Sequence, residues 1–417
     1  MLLLVYRILI NLILILSPII IIIRILKKKE HPIRFREKLY IFSKKKVKGK
    51  LIWFHGASVG EILSVIPLIE KLEKKVEIKQ ILITSNTLSS SKILASLKLK
   101  KTIHQFLPID TNYHTKKFLN YWKPSIAIFI DSEIWPNIIT NIKKESIPLL
   151  LLNARITKKS FKKWKKFTSS AKSLFNKFDL CLSSNNDSVK YLKILGAKKI
   201  KYIGNLKFTQ SEKNNNEIDD SLKKKFSFKH IWCASSTHPG EEKYCALIHK
   251  KLKRQYKGLL TVIIPRHVDR VKKITKEMGE LDLNIHTHNS QNKMNKNTDI
   301  YLVDSYGLNK SFLKICKIVF LGGSIIKHGG QNPLEAARYG CKILHGPNVW
   351  NFKEIYSLLK KFKISNKINS INQMTRVIDD EFKNKMSSQK IKLKIKKIGN
   401  KILNNTLKEI NYFIIKK

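Results

Sequence analysis

Acidic residues are scarce in this chain of 417 residues: 30 Asp and Glu stand against 82 Lys and Arg, a formal charge of +52. An imbalance of that size points toward nucleic acid or an anionic membrane surface. The excess is mostly lysine, however, and it runs the whole length beside abundant Ile and Asn. These are residues of A/T-rich codons, so mutational bias accounts for most of the charge. No basic segment interleaves aromatic residues as a nucleic-acid reader does, and zinc-finger spacing is missing, so no nucleic-acid partner is expected. Cysteine is rare as well. Cys181, Cys233, Cys245, Cys316 and Cys341 form no CxxC pair and mostly sit in apolar runs, which supports neither a disulfide framework nor a metal site. The chain also lacks a P-loop, a GxSxG elbow, an HExxH pair, an EF-hand loop and GxGxxG, which disfavours a dinucleotide oxidoreductase.

Apolar residues are concentrated at the amino terminus. From Met1 to Leu26 nearly every residue is Leu, Ile or Val. A helix of about 20 residues spans a bilayer, so the segment is long enough to anchor the protein in a membrane. It has no small-residue cleavage site, so a removed signal peptide is not expected. Arg24, Lys27, Lys28 and Lys29 follow the run, which places the body on the cytoplasmic side. Arg7 and Pro18 leave a helix lying in the membrane interface open beside a spanning one.

Beyond the anchor, short apolar runs alternate with helical patterns. Leu51–Phe54, Lys79–Thr84, Ile103–Leu107, Ser125–Ile130, Leu149–Leu152, Leu180–Leu182 and Lys201–Ile203 read as buried strands. After a polar break the pattern resumes with Ile231–Ala234, Leu259–Ile264, Ile300–Val303, Ile318–Leu321 and Lys342–Leu344. Such alternation predicts an α/β protein of two Rossmann-like domains facing each other across a cleft. The expected boundaries are an anchor helix at 1–26, a first Rossmann-like domain at 27–209, a linker at 210–225, a second Rossmann-like domain at 226–389, and a terminal helix at 390–417 packing back on the first domain.

Ligands in such sheets bind at the carboxyl ends of strands, so the residues just after each strand carry most weight. The first such stretch, Phe54-His55-Gly56-Ala57-Ser58-Val59-Gly60-Glu61, turns from strand to helix through small residues. A carboxylate there would repel phosphate, so Glu61 reads as a reagent and not as part of an anion cradle. Asp131-Ser132-Glu133-Ile134-Trp135-Pro136-Asn137 follows a later strand, and its plain structural reading is a helix start capped by Asp131 or Ser132. Asn153-Ala154-Arg155 and Gly204-Asn205-Leu206-Lys207 end two more strands.

In the second half, Ala234-Ser235-Ser236-Thr237-His238-Pro239-Gly240-Glu241-Glu242 repeats the turn, with Ser and Thr placed to cap the next helix. Pro265-Arg266-His267 offers a guanidinium for a phosphate or a base carbonyl. Gly322-Gly323-Ser324-Ile325-Ile326-Lys327-His328-Gly329-Gly330-Gln331-Asn332-Pro333-Leu334-Glu335 is a glycine-rich loop able to wrap a nucleotide, with Glu335 placed either for ribose hydroxyls or for the helix dipole. Gly346-Pro347-Asn348 with Asn351-Phe352 closes the series.

In this order the motifs resemble those of the lipid A 3-deoxy-D-manno-octulosonic acid (Kdo) transferase family, and Arg34-Phe35-Arg36-Glu37-Lys38-Leu39 resembles its early motif. The resemblance covers nearly the whole chain. It implies a GT-B architecture, transfer of Kdo from CMP-Kdo to the lipid A precursor lipid IVA, an inner-membrane location with the body on the cytoplasmic face, and no metal or other cofactor. It makes Glu61 the catalytic base, Glu133 and Lys207 transition-state stabilisers, and Pro265, Arg266, Tyr306, Gly307, Leu308, Asn332, Pro333, Leu334 and Glu335 the CMP-Kdo contacts. Two positions depart from the family pattern: Leu308 stands where glutamate is common, and Gln331 where histidine is common. Two other readings compete: a GT-B sugar-nucleotide epimerase, which the apolar anchor argues against, and a basic membrane-anchored nucleic-acid- or lipid-binding protein, which leaves Glu61, Glu133 and Glu335 without purpose.

Overall fold

The computed structural model describes residues 2–210, 226, 230–383 and 387–415. Nearly all of the expected linker, residues 211–225, lies outside the described residues, as do Met1, residues 416–417 of the terminal helix, and short stretches within the expected second domain. The chain divides into two compact units, residues 1–210 with 398–417, and residues 211–397.

In the first unit, β1 (Lys50–His55), β2 (Ile78–Ser85), β3 (Thr102–Phe106), β4 (Ile126–Ile130), β5 (Leu149–Ala154), β6 (Leu180–Ser183) and β7 (Ile200–Tyr202) form one sheet. Its order is β3-β2-β1-β4-β5-β6-β7, and every pair is parallel. The central strands are buried on both faces, as Ile126–Ile130 and Leu149–Ala154 show throughout. That explains why they are continuous apolar runs and not alternating ones. The helices are α1 (Leu2–Leu26), α2 (Val59–Glu73), α3 (Leu88–Ser96), α4 (Asn112–Trp122), α5 (Pro136–Lys144), α6 (Lys158–Lys165), α7 (Thr168–Phe175) and α8 (Asn186–Ile194). Thr87, Thr111, Thr157 and Asn185 start α3, α4, α6 and α8 by accepting a backbone N–H three residues on. On one side of the sheet Trp53 packs against Phe118 and Phe129, with its indole N–H donated to Thr84 Oγ1 at 2.9 Å.

The second unit repeats the design with β8 (His230–Thr237), β9 (Leu259–Pro265), β10 (Ile285–Thr287), β11 (Ile300–Leu302), β12 (Ile318–Leu321), β13 (Lys342–His345) and β14 (Ser365–Lys367). Their order is β10-β11-β9-β8-β12-β13-β14, again all parallel. The helices are α9 (Glu241–Lys253), α10 (Val271–Gly279), α11 (Asn309–Ile315), α12 (Leu334–Arg338), α13 (Lys353–Lys361), α14 (Ile371–Lys383) and α15 (Ser388–Ile415). Every strand read from the sequence is present. The two that were not, β10 and β14, are three-residue edge strands without an apolar run.

Although α15 starts in the second unit, its residues from Ile398 onward belong to the first, where Lys201 Nζ meets Glu409 at 2.8 Å and Lys50 Nζ reaches the Ile414 carbonyl at 2.5 Å. At the other end of the chain, Leu3–Leu26 of α1 is long and apolar enough to cross a membrane, with a mean hydropathy of 2.8.

Candidate active site

In the first sheet the strand order reverses between β1 and β4, which opens a crevice outside their carboxyl ends. Glu61, in the first turn of α2 after β1, and Glu133, in the loop after β4, follow these two strands. Beyond His55 the chain turns through Gly56–Ser58 into α2, with Ser58 as its N-cap. Ser58 Oγ accepts the Glu61 N–H and donates to Glu61 Oε1 at 2.8 Å, while Glu61 Oε2 accepts the Ala57 N–H at 2.8 Å. Glu61 thus closes a capping box. That structural duty was missed in the sequence, although Ser58-x-x-Glu61 is its signature. Burial pushes the Glu61 carboxyl up, Asp131 and Glu133 add to the rise, and the hydrogen bonds from Ser58 and Ala57 oppose it.

The loop after β4 differs from its plain sequence reading. Neither Asp131 nor Ser132 caps α5; Trp135 is the N-cap and supplies no side-chain bond. The carboxylate of Asp110, from the loop after β3, accepts the N–H groups of Asn137 at 3.0 Å and Ile138 at 2.8 Å instead. Asp131 is left to adopt a left-handed backbone (φ 57°), as does Asn153 at the end of β5 (φ 54°). Asp and Asn tolerate that region better than most residues. Asn153 binds the Asp131 carboxylate through Nδ2 and accepts the Leu206 N–H at 2.9 Å, which draws the loops after β4, β5 and β7 together. Lys207 follows directly, and its charge partly offsets the rise that burial imposes on the Asp131 carboxyl.

Glu133 Oε2 accepts the Trp135 indole N–H at 2.8 Å and lies 3.2 Å from His55 Nε2. Burial would raise the Glu133 carboxyl, but His55 and Trp135 outweigh it and hold it below the ordinary range. His55 is fully buried, with Nδ1 3.0 Å from Thr84 Oγ1. The sequence reading gave it no role; a polar residue closing an apolar strand run was the available signal. The three expected catalytic residues therefore meet in one crevice, with Asp131, Asn153 and His55 as the groups that arrange them.

In the second sheet the order reverses between β8 and β12, and there Glu241 joins the loops after both. It is fully buried at the start of α9. Its Oε2 accepts the N–H groups of His238 at 3.0 Å and Gly323 at 2.7 Å, and its Oε1 those of Ser324 and Ile325, each at 3.0 Å. The glycine-rich loop was read as able to wrap a nucleotide; the N–H groups of residues 323–325 bind a carboxylate of this chain instead. Gly322 is required because an added Cβ would lie 2.3 Å from the Ser236 carbonyl oxygen. Ser235 and Thr237 do not cap α9 as their position predicted; its N-cap is Gly240.

Among the expected donor contacts, Glu335 is tied in firmly. Ser235 Oγ donates to Asn309 Oδ1 at 2.6 Å, and Asn309 Nδ2 donates to Glu335 Oε2 at 2.9 Å. Asn332 Oδ1 accepts the Leu334 N–H at 3.1 Å, Pro333 is the N-cap of α12, and Leu334 is buried. Pro265 ends β9 and is buried, while Arg266 anchors only its backbone, N–H to the Thr237 carbonyl at 3.0 Å, and extends its side chain into solvent. Tyr306 is 70% exposed, Gly307 takes φ 87°, and Leu308 begins α11 without side-chain capping. Beside Gly323 stands a histidine group the sequence reading did not single out: His238 packs 4.3 Å from His328 and 6.2 Å from His267 between ring centres.

Cavity size does not locate chemistry here. A hollow of about 630 Å³ lies on the α9–α14 side and is lined by Tyr244, Lys250 and Arg254. Among the described residues no group of three or more His, Cys, Asp or Glu side chains is arranged to hold a metal ion.

Residues 33–210 match the family model described as 3-Deoxy-D-manno-octulosonic-acid transferase (kdotransferase). A 3-deoxy-D-manno-octulosonic acid transferase of Rickettsia bellii is 34% identical over 402 residues, covering 95% of this chain and 96% of that protein. One from Haemophilus influenzae is 28% identical, over 82% of this chain and 81% of the relative. Among solved structures, a putative UDP-N-acetylglucosamine 2-epimerase from Listeria monocytogenes superposes with a TM-score of 0.61 at 14% identity, covering 88% of this chain and 98% of that one. That last likeness concerns the fold alone, a GT-B-like pairing of two Rossmann-type units. The full-length match to the Rickettsia bellii protein decides the family: the chain belongs to the 3-deoxy-D-manno-octulosonic acid transferases.

Proposed function

We propose that this chain transfers Kdo from CMP-Kdo to lipid IVA in lipopolysaccharide core biosynthesis, at the cytoplasmic face of the inner membrane. The observation that carries the reading is Glu61, a partly buried carboxylate at the switch point of the first sheet whose affinity for a proton is raised. A sugar hydroxyl is a weak nucleophile, and a positioned carboxylate that accepts its proton lowers the barrier. The acceptor oxygen bonds to the anomeric carbon, its proton passes to Glu61, and CMP departs with the electron pair of the broken bond. The displacement is direct and inverting, with no covalent enzyme intermediate. Glu133 and Lys207 stabilise the charge that develops. Pro265, Arg266, Tyr306, Gly307, Leu308 and Asn332–Glu335 hold the donor. Helix α1 keeps the body beside its acylated acceptor.

Incubation with CMP-Kdo and a tetra-acylated lipid A precursor, read by product mass, tests the whole reading. Mass increments of one or more Kdo residues are expected. An unchanged acceptor mass with active-site occupancy by CMP would exclude lipid IVA as the acceptor, and failure to bind CMP at all would exclude the donor.

A further inference from the structure

Helix α1 is fastened to the first unit at both of its ends. Its carboxyl end continues directly into the body, where Arg24 Nε meets Glu30 Oε2 at 3.1 Å. Near its amino end, Tyr6 donates its hydroxyl to Asp110 Oδ2 at 2.8 Å, and Arg7 Nε donates to Asn137 Oδ1 at 2.9 Å. Both acceptors are buried, at 2% and 0% exposure. The helix has 25 residues and is therefore roughly 37 Å long, more than the ~30 Å of a bilayer's hydrocarbon core. A helix crossing that core would carry Tyr6 and Arg7 to the side opposite the body, out of reach of Asp110 and Asn137.

Exposure along α1 follows the same logic. Leu3, Tyr6, Arg7, Ile10, Leu14, Ser17, Ile21, Arg24 and Ile25 recur at helical spacing and are the sheltered positions among its described side chains. Leu4 (63%), Ile8 (61%), Ile15 (74%), Ile19 (62%) and Leu26 (77%) line the opposite side and stand open. One continuous apolar face thus runs from end to end, and the exposed cations Lys27, Lys28 and Lys29 follow it. Cations at the end of such a face suit the anionic headgroups of a bilayer surface.

We propose that α1 is an in-plane anchor, clamped to the body by Tyr6–Asp110 and Arg7–Asn137, that sinks its open face into a single leaflet of an anionic phospholipid bilayer without crossing it. The proposal rests on the reading that the chain works at a membrane. It also gives the clamp a second consequence, because Asp110 holds the first N–H groups of α5, directly after the loop that carries Glu133.

The test uses the full chain in vesicles of phosphatidylethanolamine and phosphatidylglycerol. Single cysteines replace Leu4, Ile15 or Leu26, all on the open face, and carry an environment-sensitive fluorophore; the five native cysteines are fully buried and stay unlabelled. Depth is read by quenching with lipids bearing spin labels near the headgroup or deep in the acyl chain. Equal, shallow depths at the three positions are expected. A mid-bilayer depth for position 15 with shallow depths at 4 and 26 means that α1 spans and overturns the proposal, leaving membrane attachment intact. No quenching at any position overturns the proposal together with the membrane reading. Tyr6→Phe with Arg7→Gln should separate the depth of position 4 from that of position 26; unchanged depths would show that these bonds are not the clamp.

Discussion

Glu61 closes a capping box and is proposed as the base, two jobs that a single substitution confounds and a pair of substitutions separates. Glutamine also closes a capping box, so Glu61→Gln keeps the start of α2 while removing the base. It should lower turnover by about 10²–10⁴-fold with little change in melting temperature. Glu61→Ala loses both and should in addition lower stability by about 1 kcal/mol. Equal melting temperatures for the two variants would refute the capping role, and near-normal turnover in Glu61→Gln would remove Glu61 as the base. The pH profile carries the same argument. A base works when ionised, and the Glu61 carboxyl is raised above its ordinary 4.5 by burial and then by Asp131 and Glu133. Activity should therefore fall as pH drops through a value above 4.5, and Glu133→Gln should move that acid limb to lower pH because it removes one repelling charge. A limb that stays in place would disconnect the two carboxylates.

Elements here are held by carboxylates from elsewhere in the chain, and two of these can be probed. Glu241→Gln would set an amide N–H₂ against backbone N–H donors in a fully buried site. A loss of ~2–4 kcal/mol is expected in thermal or denaturant unfolding of the second unit. Asp299 ties β11 to α9 through His249 at 3.2 Å and Lys253 at 2.5 Å. Burial alone would raise its carboxyl, but His249, Lys253 and the Asn284 N–H bring it down to about 2 from 3.8. A carboxyl lowered on folding stabilises the fold above its unfolded value, and that contribution is lost as pH falls through the folded one. Asp299→Asn should thus cost on the order of 1–2 kcal/mol at pH 7, with the gap from the parent protein closing between pH 4 and pH 2. A gap independent of pH would mean that packing, and not charge, is what the substitution disturbs.

The same elements show what the sequence can and cannot reveal. Buried parallel strands such as Leu149–Ala154 are apolar without interruption, so they stand out at once. The edge strand Ser365–Lys367 is held by register with β13 and has no apolar signature of its own. Candidate site residues were legible where they lie after a strand and no later than the first turn of the next helix, as Glu61, Glu133 and Glu335 do. Asp110 and Glu241 were not, because their partners lie far off in the chain: Tyr6 is 104 residues from Asp110, and Gly323 is 82 from Glu241. Nothing local distinguishes a carboxylate that will accept distant backbone N–H groups from one that will face water.

At the scale of the molecule, the charge of +52 and the apolar face of α1 predict two separable components of membrane attachment. The electrostatic part is screened by salt, whose Debye length shrinks from about 10 Å at 0.1 M to about 3 Å at 1 M. Cosedimentation with anionic vesicles should therefore weaken as salt rises and then level off at a residue carried by α1. Complete release at high salt would mean that α1 contributes nothing, and salt-independent binding would mean that the lysines do not.

The borders of the two sheets bear on how this chain behaves when concentrated. An open β-edge is a template on which another chain can pair and aggregate. Three of the four edges here, Ile200–Tyr202, Ile285–Thr287 and Ser365–Lys367, are only three residues long, and two of them carry a lysine. The fourth, β3, is blocked: Glu37 accepts the Phe106 N–H at 2.7 Å, and Arg34 occupies the His104 carbonyl at 2.9 Å. The early Arg34–Leu39 motif is thus a lid on an exposed border, and substituting Glu37 should be felt first as precipitation during purification.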